Sequence, residues 1–447
     1  MISPTQTSAA LLTDFYQLTM AQAYCELEMN ETAVFELFVR RLPPTRRFLV
    51  AAGLEQALEH IEQLRFTVAD LEFLSQLGSF QSRFLDRLGA VRFTGSVHAM
   101  PEGTPFFAGE PILRITAPIL EAQLLESRLL NIIHFQTLIA SKAARCVVAS
   151  RGRRLIDFGM RRAHEANAGL FAARAAYLAG FEATATVEAG RRFGIPLSGT
   201  LAHSFIEAHD TEEQAFRNFV GTRTGATTLL IDTYDTQRAA RLVAALANEL
   251  RSGGSTRAIQ SVRIDSGDLA AEARSVRSIL DEHGCGDVKI VLSGGIDEHQ
   301  IDALLSTGVP ADVFGIGTSL DVSSDAPSLD MVYKLAEYAG KPRRKCSAGK
   351  ATWPGAKQVF RERSAGGEYL RDRIALTGEP PEGQPLLAEV MRGGRRLAPA
   401  RSLNAIREHC RGEIGALPGL LRELREGPDD YRVTVSDAVR ALAESAE

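Results

Sequence analysis

Three consecutive segments between Ser261 and Leu320 repeat one pattern, an apolar and β-branched run followed by a loop rich in Gly and Ser. They read SVRIDSGDL (261–269), KIVLSGGI (289–296) and DVFGIGTSL (312–320). The runs have strand length, and the segments between them have helical spacing of apolar residues. Because the strand ends recur roughly every 25 residues, one strand plus a returning helix, the strands are predicted to be parallel. Their carboxyl ends should then share one side, where α/β folds bind ligands.

The loops at these strand ends carry groups that suit a phosphorylated sugar. Ser293-Gly294-Gly295 and Gly315-Ile316-Gly317-Thr318 can direct backbone N–H groups at an anion. Arg263 and Asp265 alternate along one strand, so both side chains face the same way and suit an anionic ring substituent and ribose hydroxyls. One such loop alone is more often a packing turn. Three in register predict a barrel enzyme that acts on a phosphorylated sugar.

The composition is that of an ordinary globular protein and limits the classes of partner. The 447 residues are 45% hydrophobic and 24% charged, with a net charge of −4. This near-neutral balance argues against general nucleic-acid or membrane binding, whereas a small anionic ligand needs only a local positive site. A chain of this length should fold into two or more domains.

Cysteine usage and the apolar segments predict a cytoplasmic protein. The five cysteines are scattered without metal-ligand spacing, which fits free thiols in a reducing cytosol. Residues 1–20 contain Asp14 and lack the apolar core of a signal peptide. The most apolar segment, Ile119–Ser150, is interrupted by charged residues, so we expect one long buried helix there and no membrane span.

The order of elements predicts an α/β fold, an irregular α/β barrel of mostly parallel strands, closed or nearly closed, with a smaller, discontinuous β-rich α+β domain. The predicted domains are an N-terminal α+β domain at 1–120, the barrel at 121–340, and a C-terminal segment at 341–447 that partly rejoins the first domain. The candidate barrel strands are Arg154–Phe158, Ala183–Val187, Pro196–Leu201, Thr227–Ile231, Ser261–Ile264, Lys289–Leu292 and Asp312–Ile316.

Outside the barrel, the pattern also predicts individual elements. Helices are expected over Leu11–Leu27, within residues 48–89, and over residues 402–426 and 435–446. Strands are expected over Ala33–Arg41, in short pieces within residues 91–116, and over Met331–Glu337 and Gln358–Arg361.

Two further strand ends carry candidate functional side chains. Phe158 and Arg161, in the run DFGMRR (157–162), can stack on a flat heterocycle and hold a carboxylate. His203 follows the candidate strand 196–201, and a neutral imidazole there can accept a phosphoryl group from a bound nucleotide. Surface arginines and structural histidines are common, however. The residues by themselves therefore leave both roles open.

Together these motifs resemble the nicotinate phosphoribosyltransferases, a family of type II phosphoribosyltransferases. The resemblance covers about residues 11–362, and the joint order of its blocks makes it specific. The blocks are TDFYQLTM (13–20), FELFVRRLP (35–43), EGTPFFAGEPIL (102–113), DFGMRRAH (157–164), ARAAYLAGF (173–181), GIPLSGTLAHSF (194–205), RIDSGDL (263–269), LSGGI (292–296), FGIGTS (314–319) and KLAEYAGKPRRKCSAGKATWPGAKQVFR (334–361).

The resemblance implies that nicotinate and phosphoribosyl pyrophosphate give nicotinate mononucleotide and pyrophosphate for NAD biosynthesis, with ATP hydrolysis and Mg²⁺. It implies a homodimer with shared active sites, to which Tyr16 and Arg40 contribute from the neighbouring subunit. His203 matches the histidine that ATP phosphorylates, giving phosphohistidine, and Asp265 matches a catalytic ribose contact. The other implied substrate contacts are Tyr16, Phe158, Arg161, Thr184 and Arg263, and the implied phosphate contacts are Arg40, Ser293, Gly294, Gly295, Gly315, Gly317, Thr318, Lys345 and Lys350.

One stretch departs from the family pattern and bears on the substrate. Where family members commonly read FDGTSNV, this chain reads FEATATV (181–187). Relatives that use nicotinamide carry an acidic group near Ala185 that accepts the amide N–H, so its absence favours a carboxylate substrate. Nicotinamide phosphoribosyltransferase and a non-catalytic, nucleotide-binding paralogue remain as alternatives. A quinolinate-type enzyme is disfavoured, because an ATP-linked His203 would have no purpose there.

Overall fold

The computed structural model describes residues 9–424 and 431–446. The described chain divides into two compact units. Unit 1 comprises residues 1–138 and 328–447, and unit 2 comprises residues 139–327. The sequence predicts the corresponding boundaries at 120 and 340. Each unit has its own sheets and its own packed interior.

The elements are numbered here in chain order. Strands β1 to β19 are Thr32–Val39, Leu49–Val50, Ser96–Ala99, Pro105–Phe106, Pro111–Pro118, Arg154–Asp157, Ala183–Thr184, Ala226–Leu230, Ala258–Ile264, Lys289–Leu292, Val313–Ile316, Met331–Tyr338, Lys341–Pro342, Lys357–Arg363, Tyr369–Leu376, Gln384–Pro385, Ala388–Arg392, Arg395–Arg396 and Arg432–Val435. Helices α1 to α16 are Phe15–Glu26, Leu54–Gln63, Val68–Gln76, Ser82–Ala90, Ile119–Leu124, Glu126–Ala149, Ala166–Ala179, Val187–Phe193, His203–Glu207, Glu212–Thr222, Thr236–Ser252, Leu269–Glu282, Glu298–Ser306, Thr318–Asp321, Leu403–Gly415 and Asp437–Ser445. Short 3₁₀ turns lie at Ala9–Leu11, Met160–Arg162 and Gly419–Arg422.

Unit 2 is built on a six-stranded sheet with the order β7-β6-β11-β10-β9-β8, in which every pair is parallel. The three strands predicted from the repeated pattern are confirmed as β9, β10 and β11, which are adjacent in the sheet. Helix α12 connects β9 to β10, and α13 connects β10 to β11. Because the strands are parallel, their carboxyl ends and the loops that follow them share one edge of the sheet.

Local sequence explains where the connecting helices begin and what they bury. The Asp268 carboxylate accepts from the N–H groups of Ala270 and Ala271 and caps α12. Asp297 and Gln300 form a reciprocal capping box at the start of α13. The buried residues of α12, among them Val276 and Leu280, recur at helical spacing, so one face of the helix is apolar.

Two of the predicted barrel strands need correction. The predicted strand Ala183–Val187 is only the two-residue β7, because Thr186 begins α8 as its N-cap. The predicted strand Pro196–Leu201 is wrong. In the described chain, a single bridge joins Leu197 to Thr184. No longer strand forms here because Pro196 has no N–H to donate and Gly199 weakens an extended run.

In unit 2, strands alternate with helices along the chain, as predicted. The outermost strands of the described sheet are β7 and β8. The prediction of parallel strands in an α/β unit is therefore confirmed. Ladder pairing between the two outermost strands is absent from the pairs that the structure describes, so the described sheet is open between β7 and β8. A small interior cluster of Ile156, Ala183, Val291 and Val313 packs against Phe158.

Unit 1 combines a seven-stranded sheet, in the order β13-β12-β1-β5-β3-β17-β18, with a four-stranded sheet in the order β16-β14-β15-β19. Strand β12 pairs antiparallel with β1, and β17 pairs antiparallel with β3. Strands from the C-terminal part of the chain thus complete a sheet begun near the N-terminus. In the second sheet Arg361 and Asp372, both fully buried, form an ion pair at 2.5 Å.

Two of the predicted helices also differ from the structure. The segment Ile119–Ser150 holds two helices, α5 and α6, with a break at Leu125. Helix α6 could cross a membrane by length and composition alone, but 78% of its most apolar window is buried within the protein, as in a core helix. The helix predicted at 402–426 ends at Gly415, because Pro418 cannot continue it; residues 425 and 426 lie outside the described part of the chain.

Candidate active site

Two cavities open at the carboxyl ends of the parallel strands of unit 2. The larger has a volume of about 350 Å³ and the smaller about 270 Å³. The two share the lining residues Phe158, Arg161, Arg263 and Asp265. The larger is further lined by Met160, Ala185, Gly199, Thr200, Leu201, Ala202, His203 and Leu230, and the smaller by Arg162, Ser293, Gly294, Gly295, Ile296, Gly315, Gly317 and Thr318.

Two of the four shared residues, Arg263 and Asp265, are hydrogen-bonded to each other and to Ser293. Arg263 Nε donates to Ser293 Oγ at 2.7 Å, and Ser293 Oγ donates to Asp265 Oδ1 at 2.5 Å. The other side of the guanidinium donates to the same Asp265 oxygen at 2.5 Å. Arg263 also donates to Thr200 Oγ1 at 3.0 Å, so both terminal nitrogens of the guanidinium are hydrogen-bonded. These hydrogen bonds orient the two charged side chains toward the cavities.

This geometry changes the interpretation of Ser293. The sequence predicts it as a phosphate contact, but its side chain is 1% exposed and its hydroxyl joins Arg263 to Asp265. Its side chain orients the two charged residues. Its backbone N–H donates to the Ile264 carbonyl at 3.0 Å, so the predicted phosphate contact at Ser293 is not supported.

Phe158 and Arg161 follow β6 and form the opposite part of the wall. The Arg263 guanidinium lies 5.1 Å from the centre of the Phe158 ring, a cation–π distance. Arg161 lines both cavities. The arrangement gives an aromatic face beside two guanidinium groups, as the sequence predicts for a flat, negatively charged heterocycle.

Two glycines of the candidate phosphate loops are required by neighbouring groups. A Cβ on Gly315 would lie 2.5 Å from the Phe158 ring, so this glycine makes room for the aromatic side chain. Gly294 has φ +97°, and a Cβ there would lie 1.9 Å from the Asp265 carbonyl oxygen. These glycines therefore shape the shared wall as well as the phosphate loops. Gly295, Gly317 and Thr318 line the smaller cavity.

The smaller cavity is electrostatically suited to an anion. Arg161, Arg162 and Arg263 line it, and Asp265, the one acidic side chain among its lining residues, is paired with Arg263. Arg162 also donates to Thr318 Oγ1 at 3.1 Å. An excess of positive charge at the ends of loops with accessible backbone N–H groups favours a phosphate.

His203 lines the larger cavity as the first residue of α9, at the predicted edge of the sheet, although the strand predicted directly before it does not form. Its Nδ1 lies 3.1 Å from Thr233 Oγ1. Thr233 follows β8, the strand next to β9, and was not singled out from the sequence. Its hydroxyl holds the imidazole by one nitrogen.

Asp232 is a second residue that sequence reasoning missed. Its Oδ2 accepts from the backbone N–H of Asp265 at 2.9 Å and from Ser266 Oγ at 2.6 Å. In the described chain, its buried Oδ1 has no hydrogen-bond partner. Asp232 directly follows the predicted strand 227–231. Because ligands bind at the carboxyl ends of parallel strands, its position could have identified it as a candidate.

Thr184 lies behind the cavity wall and not in it. It is 1% exposed, and its hydroxyl donates to Asp157 Oδ2 at 2.6 Å and accepts from the N–H of Thr186 at 3.0 Å. The neighbouring Ala185 lines the larger cavity in its place. Thr184 therefore supports the cavity wall through Asp157, and the predicted substrate contact is not made by its side chain.

Four candidate residues belong to unit 1. Tyr16 lies on α1 and is 48% exposed. Arg40 donates to Asp330 at 3.0 Å. Lys345 and Lys350 are exposed between β13 and β14. The structure thus brings the residues of the two cavities together within unit 2, and these four lie in the other unit.

Comparison with known proteins identifies matching families along most of the chain. Residues 11–134 match the nicotinate phosphoribosyltransferase (NAPRTase) N-terminal domain. Residues 153–353 match the nicotinate phosphoribosyltransferase (NAPRTase) family, and residues 380–443 match the nicotinate phosphoribosyltransferase C-terminal domain. The region with both cavities falls within the second match.

Individual relatives are similar over most of their length. The chain is 47% identical to nicotinate phosphoribosyltransferase pncB2 of Mycobacterium tuberculosis, covering 97% of this chain and 93% of that one. It is 41% identical to the nicotinate phosphoribosyltransferase of Bacillus subtilis, covering 85% and 79%. The crystal structure of human nicotinic acid phosphoribosyltransferase superposes with a TM-score of 0.86 at 30% identity, covering 97% and 99%. The chain therefore belongs to the nicotinate phosphoribosyltransferase family.

Proposed function

We propose that this protein transfers the phosphoribosyl group of phosphoribosyl pyrophosphate to nicotinate, forming nicotinate mononucleotide and pyrophosphate for NAD biosynthesis. The observation that carries the proposal is the joining of two cavities by Arg263 and Asp265. One cavity has an aromatic face beside guanidinium groups, and the other is positively charged and edged by glycine loops. A pyridine carboxylate suits the first, and the 5′-phosphate of the sugar suits the second.

Recognition of the pyridine ring rests on Phe158, Arg161 and Arg263. The ring stacks on Phe158, and a guanidinium holds the carboxylate through charge-assisted hydrogen bonds. Ala185 lines this cavity where an acidic side chain would accept the amide N–H of nicotinamide. The one acidic residue of the lining, Asp265, is paired with Arg263. These features favour nicotinate over nicotinamide.

Asp265 is the residue best placed to assist bond cleavage. The ring nitrogen of nicotinate already has a lone pair, so the reaction needs no general base. The difficult step is departure of pyrophosphate, as positive charge grows at C1 of the ribose. A fixed carboxylate next to C1 stabilises that charge. Within the described chain, the side-chain hydrogen bonds to Asp265 reach Oδ1, which leaves Oδ2 for the ribose.

Mg²⁺, which the family implies, fits the acidic groups at this edge of the sheet. Mg²⁺ in such sites is held by one or two carboxylates together with substrate phosphates. Asp232, with its unpartnered Oδ1, would supply one such carboxylate. The described residues contain no group of three or more protein ligands, which fits an ion that arrives with the pyrophosphate. When bound, the ion stabilises the charge on the leaving group.

ATP coupling is proposed to act through His203. Its Nδ1 is held by Thr233, so Nε2 is the nitrogen that accepts the γ-phosphoryl group. Phosphorylation then changes the affinity of the site for substrates and products, which couples ATP hydrolysis to transfer. The exposed Lys345 and Lys350 are proposed to contact the polyphosphate, with Gly295, Gly317 and Thr318 at the 5′-phosphate.

We also infer a homodimer in which Tyr16 and Arg40 complete the neighbouring subunit's site. Tyr16 is a half-exposed aromatic residue on α1, next to the more exposed Phe15 and Leu12. Such exposed apolar side chains support burial against a second copy.

We further infer that the strands of unit 2 form an irregular, incompletely paired barrel. We also infer a cytoplasmic location, which is supported by five cysteines without disulfide bonds.

The test is a turnover assay with nicotinate or nicotinamide, each with and without ATP. We expect nicotinate with ATP to give the fastest formation of mononucleotide. Faster use of nicotinamide would support the alternative that the protein is a nicotinamide phosphoribosyltransferase. Nucleotide binding without turnover of either pyridine would support the non-catalytic paralogue.

A further inference from the structure

Two buried carboxyl groups meet beneath the loop that carries Phe158 and Arg161. Asp157 is the last residue of β6 and Asp321 is the last residue of α14. Each is 1% exposed, and both carboxyl groups lie against Gly159: its N–H donates to Asp157 Oδ1 at 2.8 Å, and a Cβ on it would lie 2.3–2.5 Å from the Asp321 carboxylate. Two ionised carboxylates packed against the same backbone segment and shielded from water would repel each other strongly. The contact therefore needs a proton.

The hydrogen bonds around the pair indicate which carboxyl group holds that proton. Asp157 accepts from the N–H of Gly159 at 2.8 Å and from Thr184 Oγ1 at 2.6 Å. Asp321 has no donor for either carboxyl oxygen in the described residues. A buried group without a hydrogen-bond partner is costly. A proton on Asp321 removes this cost, because its O–H then donates to the ionised Asp157.

The pair connects the two parts of the proposed substrate site. Helix α14 begins at Thr318, directly after the glycine loop that lines the smaller cavity. Asp157 directly precedes Phe158 in the chain. A Cβ on Gly159 would lie 2.3–2.5 Å from the Asp321 carboxylate, so the backbone after Phe158 packs directly on that group. A change in this contact would shift the ring-binding residues relative to the phosphate loop.

We propose that Asp157 and Asp321 share one proton, and that the resulting hydrogen bond fixes the loop of Phe158 and Arg161 to the helix after the phosphate loop. Both residues are positioning residues, since they act through groups that contact substrate. The proposal rests on the proposed function for its kinetic consequence. The shared proton itself is tested without substrate.

The ionisable surroundings agree with a proton held on Asp321. Burial and then the charge of Asp157 raise the pKa of Asp321 to about 9. The elements packed against α14 are the turn Met160–Arg162 and α7, whose charged or titratable residues are Arg161, Arg162, Arg174 and Tyr177. Burial and Asp157 are the causes that act on the pKa of Asp321. This direction agrees with the proposal that Asp321 keeps its proton at neutral pH.

The test compares Asp321→Asn, Asp321→Ala and wild type. An amide at position 321 has the same shape and donates an N–H to Asp157 without a titrating proton, whereas alanine removes the donor. We expect Asp321→Asn to keep the KM for nicotinate near the wild-type value at pH 7.5. We expect Asp321→Ala to raise KM about tenfold with a smaller change in kcat. Asp302→Asn, at a residue that pairs with Arg151 on the surface, is the matched control.

The pH dependence of Tm supplies a readout that does not need activity. An aspartate in the unfolded chain has its ordinary pKa of about 4, so between roughly pH 4 and 9 the folded wild type binds a proton that the unfolded chain does not. Wild-type stability relative to Asp321→Asn should therefore fall as pH rises through this window. Asp302→Asn should show no such trend.

Several results would overturn the shared proton. One is a Tm difference between wild type and Asp321→Asn that stays constant with pH. Another is an Asp321→Asn variant as impaired in KM as Asp321→Ala. If wild-type protein converts no nicotinate, the proposed function fails, and the Tm comparison still decides whether the proton is shared.

Discussion

The hydroxyl oxygen of Thr233 lies 3.1 Å from Nδ1 of His203. Nε2 of a neutral imidazole is nucleophilic only when the proton is on Nδ1, and Nδ1–H then donates to the Thr233 oxygen. Because a hydroxyl can also donate to an unprotonated Nδ1, the contact holds the ring orientation and is compatible with the tautomer that phosphorylation requires. It joins the ends of two segments that are 30 residues apart in the chain.

The first prediction concerns this contact. Thr233→Ala should lower phosphorylation of His203 by about fivefold, since a lost hydrogen bond of this kind contributes about 1 kcal/mol. Thr233→Ser keeps the hydroxyl and should stay near wild type. Incorporation of labelled γ-phosphate from ATP measures the effect. Equal labelling of wild type and Thr233→Ala would show that the Thr233 hydrogen bond does not assist phosphorylation of His203.

The second prediction compares two adjacent glycines with positive φ. Gly294→Ala places a methyl group 1.9 Å from the Asp265 carbonyl oxygen, whereas Gly295→Ala meets nothing within 4 Å. Gly294→Ala should displace Asp265 and lower kcat by about 10- to 100-fold, as misplacement of a catalytic group does, and overpacking should lower the stability by roughly 1–3 kcal/mol. Gly295→Ala should incur only the smaller cost of its backbone conformation. Steady-state kinetics with Tm controls would measure both, and a greater kcat loss in Gly295→Ala would contradict the prediction.

These glycines also show how far the sequence could predict the site. The strand ends at β9, β10 and β11 were predictable because their apolar runs and glycine loops are strong local signals. The sequence could not distinguish a glycine that contacts phosphate from one that makes room for a ring. Gly315 lies against Phe158, about 157 positions earlier in the chain, and only the fold reveals that neighbour.

The same limit explains the missed and reassigned polar residues. Asp232 and Thr233 follow β8, so their place at the edge of the sheet was predictable, but their roles depend on Asp265 after β9 and on His203 in α9. Ser293 and Thr184 carry hydroxyl groups that suit a substrate, but both are buried and bonded to other side chains. Burial of a single hydroxyl depends on tertiary packing, which local pattern does not determine.

The third prediction concerns recognition of the carboxylate. Arg161→Ala and Arg263→Ala should each weaken nicotinate use by about 1.5–3 kcal/mol, the value of a hydrogen bond to a charged group. Ala185→Asp should depress the use of nicotinate more than that of nicotinamide, because the new charge repels a carboxylate. Ala185→Asn is the uncharged control of similar size. Values of kcat/KM for both pyridines provide the measurement, and equal losses for both would show that position 185 does not face the ring substituent.

The fourth prediction concerns assembly. If Tyr16 and Arg40 act on the neighbouring subunit's site, a Tyr16→Ala chain mixed with an Arg263→Ala chain should recover part of the lost activity. A hybrid dimer then contains one site with neither substitution. Two differently tagged chains allow subunit exchange to be verified. Confirmed exchange without any recovery would argue against shared sites.

The central claim is that one site couples ATP to phosphoribosyl transfer through His203. The most direct measurement is nicotinate mononucleotide formation by wild type and His203→Ala, each with and without ATP. We predict that ATP raises the wild-type rate and leaves the rate of His203→Ala unchanged. Slow ATP-independent transfer should persist in the variant, because bond cleavage rests on Asp265 and the phosphate loops. An ATP-driven increase of wild-type size in His203→Ala would contradict the account.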